Sequence, residues 1–226
     1  MTINVAMYSG TGTNPRKLTE FLRGCGCHVF PVEKTDILRL SHDECEVLYL
    51  PGGWYRFTDE VNGAIRRFVR RGGGCVGSCA GAYLVGGYIP LIAGRVLRAN
   101  IRGRLYLEPQ QGNHPILRGV VRRCTRHKDR RWEPVAVTHL GGPMILPDDP
   151  RTIVASYDFE GCIGAIVAAP LGRGRAVAIA SHPELKLAGL PACDTARRPG
   201  RPLCQGDAAL IVRNAVLWAA KRHVPA

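Results

Sequence analysis

Apolar positions in the N-terminal half of the chain fall into short blocks whose spacing alternates between that of strands and that of helices. Residues 3–8 read as a strand running into Ser9-Gly10-Thr11-Gly12-Thr13-Asn14, after which Pro15 opens a helix with Leu18, Phe21 and Leu22 as its apolar stripe. Residues 28–32 and 46–50 read as the second and third strands, and the third ends in Pro51-Gly52-Gly53-Trp54. Thr58 or Asp59 then caps a helix that turns Val61, Ile65, Phe68 and Val69 inward and Arg66, Arg67, Arg70 and Arg71 outward. Next comes GGGCVGSCAGAYLVGG, residues 72–87, which reads as a buried strand, a sharp turn at Cys79 and the start of a helix. This alternation predicts a three-layer, doubly wound α/β fold with a mainly parallel sheet, whose ligands sit beyond the C-terminal strand edge.

The C-terminal half has a different texture and predicts added antiparallel strands. Residues 95–99 and 104–108 read as strands paired across 100–103, Asn113-His114-Pro115 as a turn, and Gly141-Gly142-Pro143 as a turn before 144–146. Residues 152–157, 163–169 and 175–181 are β-rich, with turns at 158–161 and 172–174. A proline- and arginine-containing loop over 190–206 precedes Asp207, which caps a closing helix with Leu210, Ile211, Ala215, Val216, Trp218 and Ala219 on its apolar side. At 226 residues and 46% hydrophobic composition, residues 1–226 are expected to form a single domain.

Charge raises the question of an anionic partner. The net charge is +13, and because only five of the 31 basic residues are lysine, 26 are arginine. The densest run, 118–131, has Trp132 as its sole adjoining aromatic, so solvated loop charge is preferred and nucleic-acid or other anion binding through it ranks last. No stretch approaches the roughly 20 apolar residues that span a bilayer, and no basic segment precedes an apolar one at the N-terminus, so neither a membrane anchor nor a signal peptide is expected. Nine cysteines, an odd number scattered through the chain, suit reduced thiols in the cytoplasm, which also disfavours a Cys193–Cys204 disulfide. His114, His127 and His139 lack zinc spacing, Cys25, Cys27 and His28 lack a matching second half, as do Cys124 and His127, and the first loop lacks dinucleotide or P-loop spacing. No metal and no cofactor are expected.

The candidate chemistry lies in two places. Gly77-Ser78-Cys79-Ala80-Gly81 has the pattern of a nucleophile elbow, with cysteine where related hydrolases carry serine. Gly77 and Gly81 are read as positions where a β-carbon would collide, and the helix start after Cys79 favours its thiolate. The N–H groups of Ala80 and Gly53 are the oxyanion-hole candidates. Far downstream, His182-Pro183-Glu184 follows the last strand, with His182 and Glu184 projecting to one side. Cys79, His182 and Glu184 are therefore the expected catalytic triad: the histidine takes the thiol proton and the carboxylate orients it. Ser9, Gly10, Gly52 and Tyr83 are the candidate substrate contacts, although the first loop is equally read as a tight connection.

These motifs carry a family resemblance. The opening strand and loop (Asn4 to Thr13), Pro51-Gly52-Gly53, the stretch Gly73 to Tyr83 and the stretch Gly172 to Glu184 resemble the class I glutamine amidotransferase-like superfamily, which has a flavodoxin-like sheet. More narrowly they resemble the N-terminal domain of eukaryotic biotin-protein ligases. The resemblance implies a cysteine hydrolase or amidase acting by acyl transfer on a small-molecule or amide substrate, with a separate synthetase or ligase chain as acceptor. It equally allows a non-catalytic small-molecule-binding or regulatory module, similar to the segment that precedes a biotin ligase's catalytic part, and no ligase domain or biotinylation is expected of these residues alone.

Overall fold

The computed structural model describes residues 2–123, 132–157, 162–185 and 207–225. Its first half alternates β1 (Asn4–Tyr8), α1 (Arg16–Gly24), β2 (His28–Val32), α2 (Lys34–Ile37), β3 (Val47–Leu50), α3 (Asp59–Arg70), β4 (Gly74–Ser78) and α4 (Ala80–Tyr83), and α4 continues as a π-type turn over Leu84–Tyr88. Thr58, rather than Asp59, is the α3 cap, its hydroxyl accepting the Val61 N–H at 3.4 Å. Sequence periodicity does not reveal α2, because four residues complete barely one turn.

The second half contributes β5 (Gly94–Arg98), β6 (Arg102–Pro109), β7 (Val135–Leu140), β8 (Pro143–Pro147), β9 (Ile153–Tyr157), β10 (Gly164–Leu171), β11 (Gly174–Ile179) and the closing α5 (Leu210–Ala219). The sheet order is β2-β1-β3-β4-β11-β10-β9-β6-β7, with β5 paired to β8 and β8 to β10. Pairing is parallel from β2 through β11 and antiparallel from there on. Because successive strand residues point to opposite faces, Val5 and Met7 of β1 pack with Leu18 and Leu22 of α1 and Ile211 and Ala215 of α5. Ala6 and Tyr8 pack on the other side with Val61, Ile65 and Phe68 of α3. The result is an α/β fold with helices on both faces of one large mixed sheet.

The hairpin expected between 95–99 and 104–108 does not form. β5 pairs with β8 (Val96 opposite Ile145), and β6 pairs with β7 (Leu105 opposite Val137) and with β9. Adjacency in sequence suggests the hairpin, but β7, which the sequence reading lacks, gives β6 a buried partner, and the mostly exposed β5 settles on β8 instead. The turn at 158–161, the loop over 190–206 with its two cysteines, and residues 124–131 of the arginine-rich run lie outside the described residues.

Candidate active site

At the end of β4 the chain turns sharply, and Cys79 takes φ 51° and ψ −109°. An ordinary side chain resists positive φ, so the surroundings must impose it. The Cys79 N–H is tied to the Ile179 carbonyl of β11 at 2.9 Å. Two glycines let the turn close: a β-carbon on Gly77 would lie 2.3 Å from the Gly81 carbonyl oxygen, and one on Gly81 would lie 1.9 Å from that of Leu50.

β11 lies parallel to β4, so the chain leaving it arrives beside Cys79. Three residues beyond Ile179, the His182 N–H donates to the Thr138 carbonyl of β7 at 2.7 Å, which fixes where the imidazole starts. His182 Nδ1 is 2.8 Å from Glu184 Oε1, with the two side chains only 13% and 7% exposed. Burial alone would pull the imidazolium down, but hydrogen bonds to Cys79 and Glu184 and the charges of both outweigh it, and the His182 pKa is pushed up to about 10. How closely these groups converge is measured by Gly52, where a β-carbon would lie 2.9 Å from His182 Cε1 and 3.5 Å from Cys79 Cβ. The second carboxylate oxygen of Glu184 is buried without a partner among the described residues.

The turn after β3 packs on the first loop through a 2.8 Å hydrogen bond from the Trp54 N–H to the Gly12 carbonyl. Neither the Gly53 N–H nor the Ala80 N–H donates to a group among the described residues. Both residues line a cleft of about 1140 Å³ together with Gly52, Cys79, Tyr83, His182 and Glu184. Tyr83 is anchored by donating its hydroxyl to the Gly141 carbonyl at 3.3 Å. Ser9 and Gly10 are not in the lining, and here the structure departs from the sequence reading. The Ser9 N–H extends the β1–β2 ladder to Val32, and the Gly10 carbonyl closes a turn on Thr13, so the loop reaches the cleft through Gly12, Thr13 and Asn14 instead.

Sequence reasoning missed the far wall, formed by Arg98, Arg102, Leu140 and Gly141, and the rim residues Lys17, Trp54, Arg56 and Tyr88. Only Trp54, directly after the paired glycines, carries a local signal. Sequence reasoning also gave His139 no role. It is buried on β7 with Nδ1 3.4 Å from the Tyr157 hydroxyl, and burial, aided by the charge of His182, holds it down to about 4. Among the described residues no three His, Cys, Asp or Glu side chains form a cluster fit for a metal ion. No helix among them is long and apolar enough to cross a membrane.

Residues 3–103 match the family model described as Biotin-protein ligase, N terminal, a segment that includes Gly53, Cys79 and Ala80 and ends before His182 and Glu184. No curated protein matches the chain in sequence. Among solved structures the chain is similar to PurLQS from Thermotoga maritima, at 17% identity over 96% of this chain and 98% of that one, with a TM-score of 0.64. It is also similar to a protein from Thermoplasma acidophilum described as a GMP synthase subunit (18% identity, 98% and 96% covered, TM-score 0.63). A ThuA-like protein from Parabacteroides merdae is a third (14% identity, 100% and 92% covered, TM-score 0.58).

Proposed function

For a chain whose residues 3–103 match the biotin-protein ligase N-terminal family and whose fold is class I glutamine amidotransferase-like, we propose a cysteine-dependent hydrolase or amidase acting by acyl transfer. One observation carries the reading: Cys79, on a strained turn, and an imidazole that Glu184 holds from behind converge on Gly52, where a β-carbon would lie 2.9 Å from the ring and 3.5 Å from Cys79 Cβ. The hydrogen bonds and charges that push the His182 pKa up to about 10 make its ring a base able to take the thiol proton and hold it. Cys79 attacks as the thiolate. Its sulfur bonds to the carbonyl carbon, and the N–H groups of Gly53 and Ala80 hold the resulting oxyanion. His182 gives its proton to the leaving amine as the C–N bond breaks. Water then attacks the thioester and passes a proton to His182, and the C–S bond breaks to release the acid.

The Thermoplasma protein is by description one component of a GMP synthase, and a separate synthetase or ligase chain is the corresponding acceptor for product here. All six described cysteines are free thiols, which suits a reducing, cytoplasmic setting. A second reading, a non-catalytic binding module, draws on the family match that stops short of His182.

Iodoacetamide separates the two. Cys75 is fully buried and slow in either case, so the comparison belongs with exposed Cys162. Cys79 is expected to alkylate at least about tenfold faster than Cys162 at neutral pH, and Cys79→Ala to abolish amide turnover. Equal rates at the two thiols sink the hydrolase.

A further inference from the structure

We propose that the substrate of this cleft is an anion: a carboxylate- or phosphate-bearing amide or ester whose charged group sits on Arg98 and Arg102 and whose apolar part lies against Trp54. The proposal rests on the acyl-transfer reading for what happens at Cys79, but the charge argument stands by itself. Arginine is abundant throughout the chain, so cations in a cleft mean little alone. Here, though, Lys17, Arg56, Arg98 and Arg102 line one concavity whose single carboxylate among the described residues, Glu184, is committed to His182. None of the four is within ion-pair distance of a carboxylate among the described residues, whereas Arg16, Arg151 and Arg222 are. All four are exposed, and charges of one sign gathered around a concavity sum to a field that concentrates anions. The guanidinium fork accepts carboxylate and phosphate alike, two contacts at a time.

Position within the cleft favours Arg98. It ends β5, and its charge is felt at the Tyr83 hydroxyl, which is itself close enough to sense Cys79. Arg102 opens β6 a few residues later on the same wall. Arg56 is held differently, over the Tyr88 ring at 5.1 Å, and so belongs to the rim. An apolar surface accompanies these charges. Of the five large hydrophobic side chains exposed among the described residues, three line this cleft: Trp54 at 84% exposed, Tyr88 and Leu140. Isolated exposed apolar residues need no explanation. Gathering at one mouth beside unpaired cations does.

The test uses two alkylating reagents of similar size, anionic iodoacetate and neutral iodoacetamide, with Cys79 and Cys162 read in the same molecules by peptide mass spectrometry. The iodoacetate-to-iodoacetamide rate ratio at Cys79 is expected to exceed that at Cys162 by about tenfold at low salt, and to approach it near 0.5 M, roughly, as screening sets in. Arg98→Gln combined with Arg102→Gln is expected to lower the ratio at least about threefold. A ratio at Cys79 equal to that at Cys162, insensitive to salt, overturns the anion. Slow absolute alkylation of Cys79 by the neutral reagent instead overturns the hydrolase and leaves the ratio readable. Protection of Cys79 by glutarate assigns the charged group to a carboxylate, and protection by adenosine monophosphate to a phosphate. Protection by neither, or only by a single-stranded oligonucleotide, overturns the proposal.

Discussion

The two halves of the sheet both line one cleft and do so by different means. In the parallel half every strand end that matters points the same way: Gly53 follows β3, Cys79 and Ala80 follow β4, and His182 follows β11. Parallel strands deliver their following loops to one edge, so reactive groups from distant parts of the sequence meet there without special provision. In the antiparallel half the direction alternates, and the cleft takes Arg98 from the end of β5, Arg102 from the start of β6 and Leu140 from the end of β7. The first set is placed by strand ends that share a direction, the second by which strand pairs with which. The candidate catalytic groups belong to the first set and the groups proposed to choose a substrate to the second.

Substituting glycines tests that contrast most severely. Gly81→Ala places a β-carbon 1.9 Å from the Leu50 carbonyl, where only backbone movement makes room. A cost of about 3 kcal/mol or more is expected, with loss of the Cys79 geometry. Gly141 in the antiparallel half has φ +83° but no atom nearer than 3.6 Å, so Gly141→Ala is expected to cost about 1–2 kcal/mol, the usual left-handed penalty. Urea denaturation of both variants decides. Equal costs would mean that the backbone around Gly81 yields as readily as that around Gly141.

The same difference governs what could be read in the sequence. Cys79, Gly53 and Ala80 announce themselves because a tight turn between strand and helix demands glycine at fixed offsets, and His182 and Glu184 stand two apart at the end of an apolar run. Arg98 and Arg102 carry no such mark. They reach the cleft only because Val96 pairs with Ile145 and Leu105 with Val137, contacts spanning dozens of residues that nearest-neighbour reasoning replaced with a local hairpin. β7 was hidden for a related reason: His139 occupies an inward position where the alternating pattern calls for an apolar residue. The Ser9-Gly10 loop reads equally as ligand contact or tight connection, because glycine after β1 looks the same whether the backbone is free or, as at these two residues, already bonded.

A carboxylate and a phenol compare the two halves chemically, with a smaller effect on stability. Glu184→Gln removes the charge behind His182, so the midpoint of its ring titration, followed by NMR, is expected to fall from about 10 toward 6.5. Amide turnover should drop by about 10² to 10⁴. Tyr157→Phe removes the hydroxyl that donates to the Pro143 carbonyl at 3.1 Å and touches His139, at a cost of about 1–2 kcal/mol and less than about tenfold in rate. A comparable rate loss in both variants would move part of the chemistry into the antiparallel half.

The gentlest comparison is between His182 and His139, neighbours driven in opposite directions. The folded-state pKa of His182 is raised from 6.5 to about 10, so the stability it contributes is complete below pH 6.5 and declines as pH rises from there through 10. His139 is lowered to about 4, as is His114, by burial in both cases. Between about 4 and 6.5 the unfolded chain binds protons that these two refuse in the folded state, so stability falls as the solution is acidified through that window. The buried thiols Cys27 and Cys45, held up to about 11 and 12 from 9.0, add their own alkaline loss only above pH 9. Denaturation midpoints at pH values from 4.5 to 9 are therefore expected to peak near 6.5, with His182→Gln flattening the alkaline limb and His139→Gln the acid one. A profile that rises or falls steadily across that range, or an alkaline limb unchanged by His182→Gln, would mean that His182 is not held as a cation by its two partners.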